Sequence, residues 1–173
     1  MLKWKTQGLP ADTLSMENAI IIVEGANYAP LIIDPTTQAT EWLKKYMKED
    51  GGAAGGLEIL NQQDPKFNTQ LELSVRFGKC LVMQEVDGVE SLLVPILRKD
   101  LLHQGPRWTV QIGDKTIDYN ESFRLFLCTR DSFIQVPPNT SSLITLVNFT
   151  VTKSGLEGQL LSITINFEQP ELE

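Results

Sequence analysis

The stretch Leu31-Ile32-Ile33-Asp34-Pro35-Thr36-Thr37-Gln38-Ala39-Thr40-Glu41 has the layout of a phosphate-binding loop. An apolar strand over residues 31–33 runs into a turn, and apolar residues at helical spacing predict a helix over residues 40–47. A functional loop of this kind reads G-x-x-x-x-G-K-[ST] between its strand and its helix. Strands and helices alternate along the rest of the chain, which predicts an α/β fold with a parallel sheet flanked by helices.

Every residue with which such a loop binds phosphate is replaced here. The two glycine positions hold Asp34 and Ala39, the lysine position holds Thr40, and the Ser/Thr position holds Glu41. Asp34 and Glu41 put negative charge beside the phosphate position, and the Cβ of Ala39 hinders a close approach of the backbone. We interpret the loop as a vestigial nucleotide site with these residues: Asp34, Pro35, Thr36, Thr37, Gln38, Ala39, Thr40 and Glu41. An ordinary strand-turn-helix is the alternative.

Two further strands end in polar residues that an ATPase core would use. The apolar residues 81–83 lead into Gln84 and Glu85, so that the glutamate of a Walker-type motif is present but glutamine replaces the aspartate that binds Mg²⁺. The strand predicted over residues 123–129 leads into Arg130 and Asp131, where related ATPases place a polar γ-phosphate sensor. Gln84, Glu85 and Asp131 therefore complete the predicted vestigial site.

The carboxylates Glu85 and Asp131 leave alternatives open. A pair of carboxylates at neighbouring strand ends can perform acid–base chemistry. The favoured interpretation is that they are remnants of a lost site, or partners for Arg130 or Arg76. The sequence otherwise predicts no catalytic residue, no metal site and no cofactor, because His103 is the only histidine and is expected near the end of a helix.

Several stretches together resemble the fifth AAA+ module of dynein heavy chains. They are residues 31–43, 74–78, 111–118, 126–131 and 147–154. The resemblance runs from about Leu9 to the C-terminus. Residues 62–64, 84–90, 105–107 and 118–121 are most similar to the cytoplasmic dyneins of intraflagellar transport. The glycine-rich run at residues 51–56 departs from the module's pattern.

The resemblance implies a fold, a role and a setting. It implies that residues 1–173 form a single AAA+ large α/β subdomain with a β-hairpin insertion, and that residues 152–173 begin the connection to the small subdomain. The fifth module is a non-hydrolysing, structural member of the motor ring, which agrees with the replaced loop residues. The implied partners are neighbouring AAA+ modules and the small subdomain of the same heavy chain. Microtubules would be contacted only through other parts of the heavy chain, in the cytoplasm, the cytoskeleton and the cilium or flagellum.

Composition excludes several other classes of function. The net charge of −7 and the pI of about 4.8 argue against nucleic acid as a partner. No apolar run approaches the ~20 residues that a membrane span needs, so no membrane contact is expected. Cys80 and Cys128 lie in apolar strand patterns and are expected to be small buried hydrophobes.

Two alternatives to a structural AAA+ module remain open from the sequence. The first is a free-standing P-loop-like enzyme or anion-binding protein with an altered loop, which predicts measurable affinity for nucleotide or phosphate. The second is a small scaffold protein with no nucleotide ancestry. A predicted C-terminal helix carries an apolar stripe at Leu156, Leu160, Ile163 and Phe167. In a module of a ring this stripe would need a partner outside the chain.

Overall fold

A computed structural model describes residues 2–25, 28–49, 56–89 and 91–150, together with residues 157, 160, 161, 163–165 and 167. The strands are β1 (Ala29–Ile33), β2 (Leu57–Asn61), β3 (Cys80–Gln84), β4 (Leu101–Gln104), β5 (Arg107–Ile112), β6 (Lys115–Asp118), β7 (Arg124–Thr129) and β8 (Ile144–Asn148). The helices are α1 (Leu2–Thr6), α2 (Thr13–Glu24), α3 (Gln38–Glu49), α4 (Phe67–Phe77), α5 (Val94–Arg98) and α6 (Pro138–Ser141), and a turn of 3₁₀-helix at Ser91–Leu93 precedes α5.

The main sheet has five strands in the order β2-β3-β7-β1-β8, and every neighbouring pair is parallel. This confirms the predicted α/β class. Strands β1, β3 and β7 read as continuous apolar runs because both of their faces are buried, as parallel sheets require. Alternate residues point to opposite faces, so Leu31 joins the core layer beneath α4 and α5, whereas Ile32 joins the layer beneath α2 and α3.

The predicted β-hairpin is confirmed as β5 and β6, but it belongs to a three-stranded antiparallel sheet in the order β4-β5-β6. The prediction that His103 lies near a helix end was wrong. Helix α5 ends at Arg98, and Lys99 adopts a left-handed conformation with φ of 54°. His103 then lies in β4 opposite Trp108, with ring centroids 3.7 Å apart. Cross-strand pairing, which residue spacing along one segment does not reveal, therefore decides this segment.

Local contacts define two of the helix ends. The Asp12 carboxylate accepts the Ser15 N–H at 2.8 Å and caps α2. Gly78 ends α4 in the left-handed conformation, with φ of 66°. Helix α1 was not predicted, and its Trp4 packs against α3.

The predicted C-terminal stripe is only partly described. Leu160, Ile163 and Phe167 are helical and exposed, as expected for a surface that needs a partner, while Leu156 lies outside the described residues. The glycine-rich run at residues 51–56 lies mostly outside them as well, since only Gly56 of that run is described. Within the described part of the chain, no helix has the length and apolar character to cross a membrane.

Candidate functional site

The loop between β1 and α3 begins at the carboxyl edge of the sheet. The Asp34 N–H donates to the Thr129 carbonyl at 2.8 Å and so attaches the start of the loop to β7. Thr37 adopts a positive φ of 62°, and its N–H donates to the Asp34 carbonyl at 3.2 Å. The turn tightens, and α3 begins at Gln38, two residues before the predicted start. Ala39 faces the core, because its side chain is buried among the residues beneath α3.

The Asp34 carboxylate turns back onto the first turn of α3. One oxygen, Oδ2, accepts the Thr40 N–H at 2.9 Å and the Thr40 hydroxyl at 3.1 Å. The other, Oδ1, accepts the Thr36 hydroxyl at 3.2 Å. The residue is only 1% exposed. A helix N-terminus is where a phosphate would bind, because its N–H groups are unpaired and the helix dipole favours negative charge. Here a carboxylate of the chain itself lies at that position.

Gln84 and Glu85 lie where β3 ends, beside the end of β7. Glu85 is the first residue after β3 and has a positive φ of 54°. Its carboxylate forms a two-pronged ion pair with Arg130, with Nε to Oε1 at 2.9 Å and Nη2 to Oε2 at 3.0 Å. Arg130 is thereby confirmed as the partner of Glu85, one of the alternatives that the sequence left open.

Asp131 stabilises the turn after β7 through two hydrogen bonds. Its carboxylate accepts the Phe133 N–H at 2.9 Å, and its own N–H donates to the Thr129 hydroxyl at 3.1 Å. The carboxylate of Glu85 binds Arg130 instead. The geometry therefore gives no support to the alternative in which Glu85 and Asp131 form an acid–base pair.

A cavity of about 280 Å³ opens between the start of α3 and the ends of β3 and β7. We call it the loop cavity, and it is lined by Thr37, Thr40, Glu41, Lys44, Gln84, Glu85, Cys128, Thr129 and Arg130. In open α/β sheets, ligands bind at this carboxyl edge of the strands. A second cavity, of about 390 Å³, lies at the opposite edge, where β1 and β7 begin.

Four residues of the loop cavity were not predicted as site residues: Lys44, Cys128, Thr129 and Arg130, the last of which was predicted only as a possible ion-pair partner. Lys44 contacts the Glu41 carboxylate at 2.6 Å and lines the cavity. Lys44 follows Thr40 by about one helical turn, so both lie on the same face of α3, and this spacing could have predicted that Lys44 lies at the site. Thr129 ends β7, and the apolar pattern of that strand concealed its position at the cavity.

The Cys128 thiol lies deep in the same cavity. Burial raises its pKa from the ordinary value of 9.0 to about 12, and the negative charge of Asp34 adds to this rise. A hydrogen bond with the Thr40 side chain and the charge of Lys44 act in the opposite direction. The thiol is therefore protonated at neutral pH. Among the described residues, no cluster of three or more His, Cys, Asp and Glu side chains could hold a metal ion.

Comparison with known proteins places this geometry in a family. A family model described as the ATP-binding dynein motor region matches residues 2–173. The chain is 57% identical over 172 residues to cytoplasmic dynein 2 heavy chain 1 of Homo sapiens, an alignment that covers 99% of the chain and 4% of that protein. It is 56% identical over 173 residues to cytoplasmic dynein 2 heavy chain 1 of Chlamydomonas reinhardtii, covering 100% of the chain and 4% of that protein.

More distant dyneins match as well. The chain is 36% identical over 171 residues to the dynein-1-beta heavy chain of the flagellar inner arm I1 complex of Chlamydomonas reinhardtii, covering 98% of the chain and 4% of that protein. The chain thus spans a small part of the length of the relatives that it matches. The parallel sheet, in which β1 is followed by a loop with the layout of a phosphate-binding loop, is consistent with this family. Because the family model matches nearly the whole length of the chain, this chain belongs to the ATP-binding dynein motor region family.

Proposed function

We propose that this chain is a non-hydrolysing structural AAA+ module of a dynein heavy chain, which transmits conformational change around the motor ring. The observation that carries the proposal is the position of the Asp34 carboxylate at the N-terminus of α3. A nucleotide phosphate would meet a buried negative charge there, together with an N–H group that already has an acceptor. Both effects oppose binding, because like charges repel most strongly where water is excluded.

The groups needed for hydrolysis are also altered. Gln84 offers a neutral amide where a carboxylate would hold Mg²⁺, and an amide is the weaker ligand for this cation. Glu85 occupies the position of the residue that activates water, but its two oxygens bind Arg130 at 2.9 and 3.0 Å. The chain therefore offers neither a carboxylate ligand for Mg²⁺ at Gln84 nor a free carboxylate at Glu85 to activate the attacking water. The ATP-driven step would belong to other modules of the heavy chain.

Transmission of motion requires that the module move as one body, and the packing of α1 on α3 supports this. The Trp4 ring contacts Trp42 and Tyr46, with centroid distances of 5.7 and 6.2 Å. The Gln7 side-chain amide donates to the Glu49 carboxylate at 2.7 Å. The segment before α2 is therefore held to the helix that follows the loop.

The partners and setting follow from the relatives. Because the relatives are dynein heavy chains, we propose neighbouring AAA+ modules and the small subdomain of the same heavy chain as the contacts of this module. The heavy chain would act as a microtubule motor in the cytoplasm, the cytoskeleton and the cilium, and would touch microtubules through other regions. The alternative, a free-standing enzyme or anion-binding protein with an altered loop, differs in one measurable property, its affinity for nucleotide.

We expect the melting temperature of the chain to be unchanged by millimolar Mg·ATP or Mg·ADP. A ligand at 100 times its dissociation constant stabilises a protein by about 2.7 kcal/mol, which is several degrees for a domain of this size. Differential scanning fluorimetry with and without nucleotide provides the measurement, and MgCl₂ alone is the control. A reproducible rise of several degrees with nucleotide would overturn the proposed function and favour the enzyme alternative.

Thr40→Lys is expected to leave nucleotide affinity undetectable, although it restores the lysine of a working loop. Asp34, Ala39 and Glu41 still oppose phosphate, and the new ammonium group would lie next to the buried Asp34 carboxylate. Isothermal titration with Mg·ATP checks this. Micromolar binding by Thr40→Lys would mean that a single residue was responsible for the loss and that the rest of the site is intact.

A further inference from the structure

Three groups in or beside the loop cavity that could bind a phosphate have a carboxylate of the chain as their partner. They are the Thr40 N–H in the first turn of α3, the guanidinium of Arg130 and the ammonium of Lys44. Their partners come from three different segments. The pairing of possible phosphate-binding groups with carboxylates of the chain therefore extends beyond the loop between β1 and α3.

The first partner is Asp34, which is buried. A buried carboxylate destabilises a fold unless hydrogen bonds compensate it, and this one accepts three donors, two from Thr40 and one from Thr36. Hydrogen bonds to an ionised acceptor are about twice as strong as those between neutral groups. Asp34 therefore joins the end of β1 to the start of α3.

The second partner is Glu85, which binds the fork of Arg130 with both oxygens. The same fork geometry matches a phosphate, so the ion pair occupies the donors that would recognise one. The pair connects the residue after β3 to the residue after β7, the two strand ends that face the loop. Because the side chains of Glu85 and Arg130 are about half exposed, at 48% and 60%, the ion pair adds little to stability. Its main effect is that the guanidinium donors of Arg130 are already occupied.

The third partner is Glu41, whose carboxylate lies 2.6 Å from the ammonium of Lys44. Lys44 lines the loop cavity and reaches it from α3, one turn beyond the loop. With Asp34 included, the cavity has three carboxylates against two cations. The net charge of these side chains is −1, so both cations are already neutralised without any added anion.

We infer that Asp34, Glu41 and Glu85 act as a built-in substitute for the phosphates of a nucleotide. Asp34 holds the end of β1 to the start of α3, and Glu41 and Glu85 occupy the cations that would otherwise bind phosphate, so that the module keeps one conformation while nucleotides come and go elsewhere in the ring. This inference rests on the proposed function. It adds that the anion-binding groups of the site persist, with carboxylates of the chain as their ligands.

The test is chemical rescue of Asp34→Gly with inorganic diphosphate, in the absence of Mg²⁺. The variant loses the buried carboxylate and regains the glycine of an ordinary loop. We expect its melting temperature to fall by roughly 3–8 °C. We expect about 10 mM diphosphate to restore at least half of that loss and to leave the wild-type melting temperature unchanged.

Asp64→Gly is the matched control, because it makes the same change of charge and introduces the same new glycine at a carboxylate that accepts a backbone N–H outside the loop cavity. Diphosphate is expected to leave its melting temperature unchanged. An Asp34→Gly variant that is destabilised but does not respond to diphosphate would overturn the inference. Equal responses of the two variants would also overturn it, because they would reflect net charge alone.

A second pair of variants keeps the inference testable if Asp34→Gly does not fold. Glu41→Gln with Glu85→Gln frees Lys44 and Arg130 in the cavity, whereas Glu72→Gln with Asp118→Asn frees Lys115 and Arg107 elsewhere, with the same change in net charge. We expect calorimetry to detect millimolar diphosphate binding to the first double variant and at least tenfold weaker binding to the second. No difference between them would overturn the inference. A wild-type response to Mg·ATP would instead count against the proposed function, so the two failures are distinguishable.

Discussion

Trp42→Ala is expected to lower the free energy of unfolding by about 3–5 kcal/mol, as loss of a large buried aromatic residue does. Trp42 is fully buried and is the largest such side chain among the described residues. Its ring stacks on Tyr46 at a centroid distance of 5.6 Å and meets Trp4 edge to face at 5.7 Å. The substitution would leave a cavity beneath α3 and would release α1, so the helix that follows the loop would lose its position.

Urea unfolding followed by circular dichroism measures the loss for Trp42→Ala. Trp42→Phe is expected to cost much less than alanine, because the Trp42 Nε1 has no hydrogen-bond partner within the described structure and only packing changes. Trp108→Ala is a matched control on the antiparallel sheet. Its side chain is 39% exposed, so a loss below about 1.5 kcal/mol is expected. A Trp42→Ala loss no larger than that of Trp108→Ala would mean that α1 and α3 are not held together by this contact.

Cys128 is expected to react with a thiol reagent at pH 8 at least about a thousand times more slowly than an exposed cysteine. The thiolate is the reactive form. Burial raises the pKa of the Cys128 thiol from 9.0 to about 12, which lowers its thiolate population at pH 8 about a thousandfold. Burial also raises the pKa of Cys80, where the charge of Arg124 opposes the effect.

Labelling with a chromogenic disulfide reagent follows both thiols, and Cys128→Ser leaves Cys80 as the only cysteine for assignment. In urea both thiols of the wild type should react at the rate of a free cysteine. A pH dependence follows from the same raised pKa. The unfolded thiol ionises near its ordinary pKa whereas the folded thiol stays protonated, so the stability contributed by Cys128 is present below pH 9 and is lost as the pH rises towards 12. Rapid labelling of the folded wild type at Cys128 would show that the loop cavity opens in solution.

Much of the fold was predictable because its signals are local. The apolar runs that became β1, β3 and β7 are legible because a strand buried on both faces contains almost only apolar residues. The helix ends at Asp12 and Gly78 depend on local contacts, because each residue satisfies backbone groups within a few residues. The residues at the first glycine position and the lysine position of the loop, Asp34 and Thr40, could be identified from their positions alone, since a phosphate loop has a fixed spacing.

Tertiary structure decided which of those residues meet and what they do together. Strand β4 forms because its residues pair with β5, and α1 lies on α3 because Trp4 packs against Trp42. The pairing of Glu85 with Arg130 joins side chains 45 positions apart. The sequence by itself determined the parallel α/β sheet, the layout of the loop and the identity of the residues at its phosphate-binding positions, because backbone periodicity and spacing are local properties of the chain. Only the folded chain directs the Asp34 carboxylate onto the N-terminus of α3 and Glu85 onto Arg130, because the direction and partner of a side chain depend on neighbours that the sheet brings together.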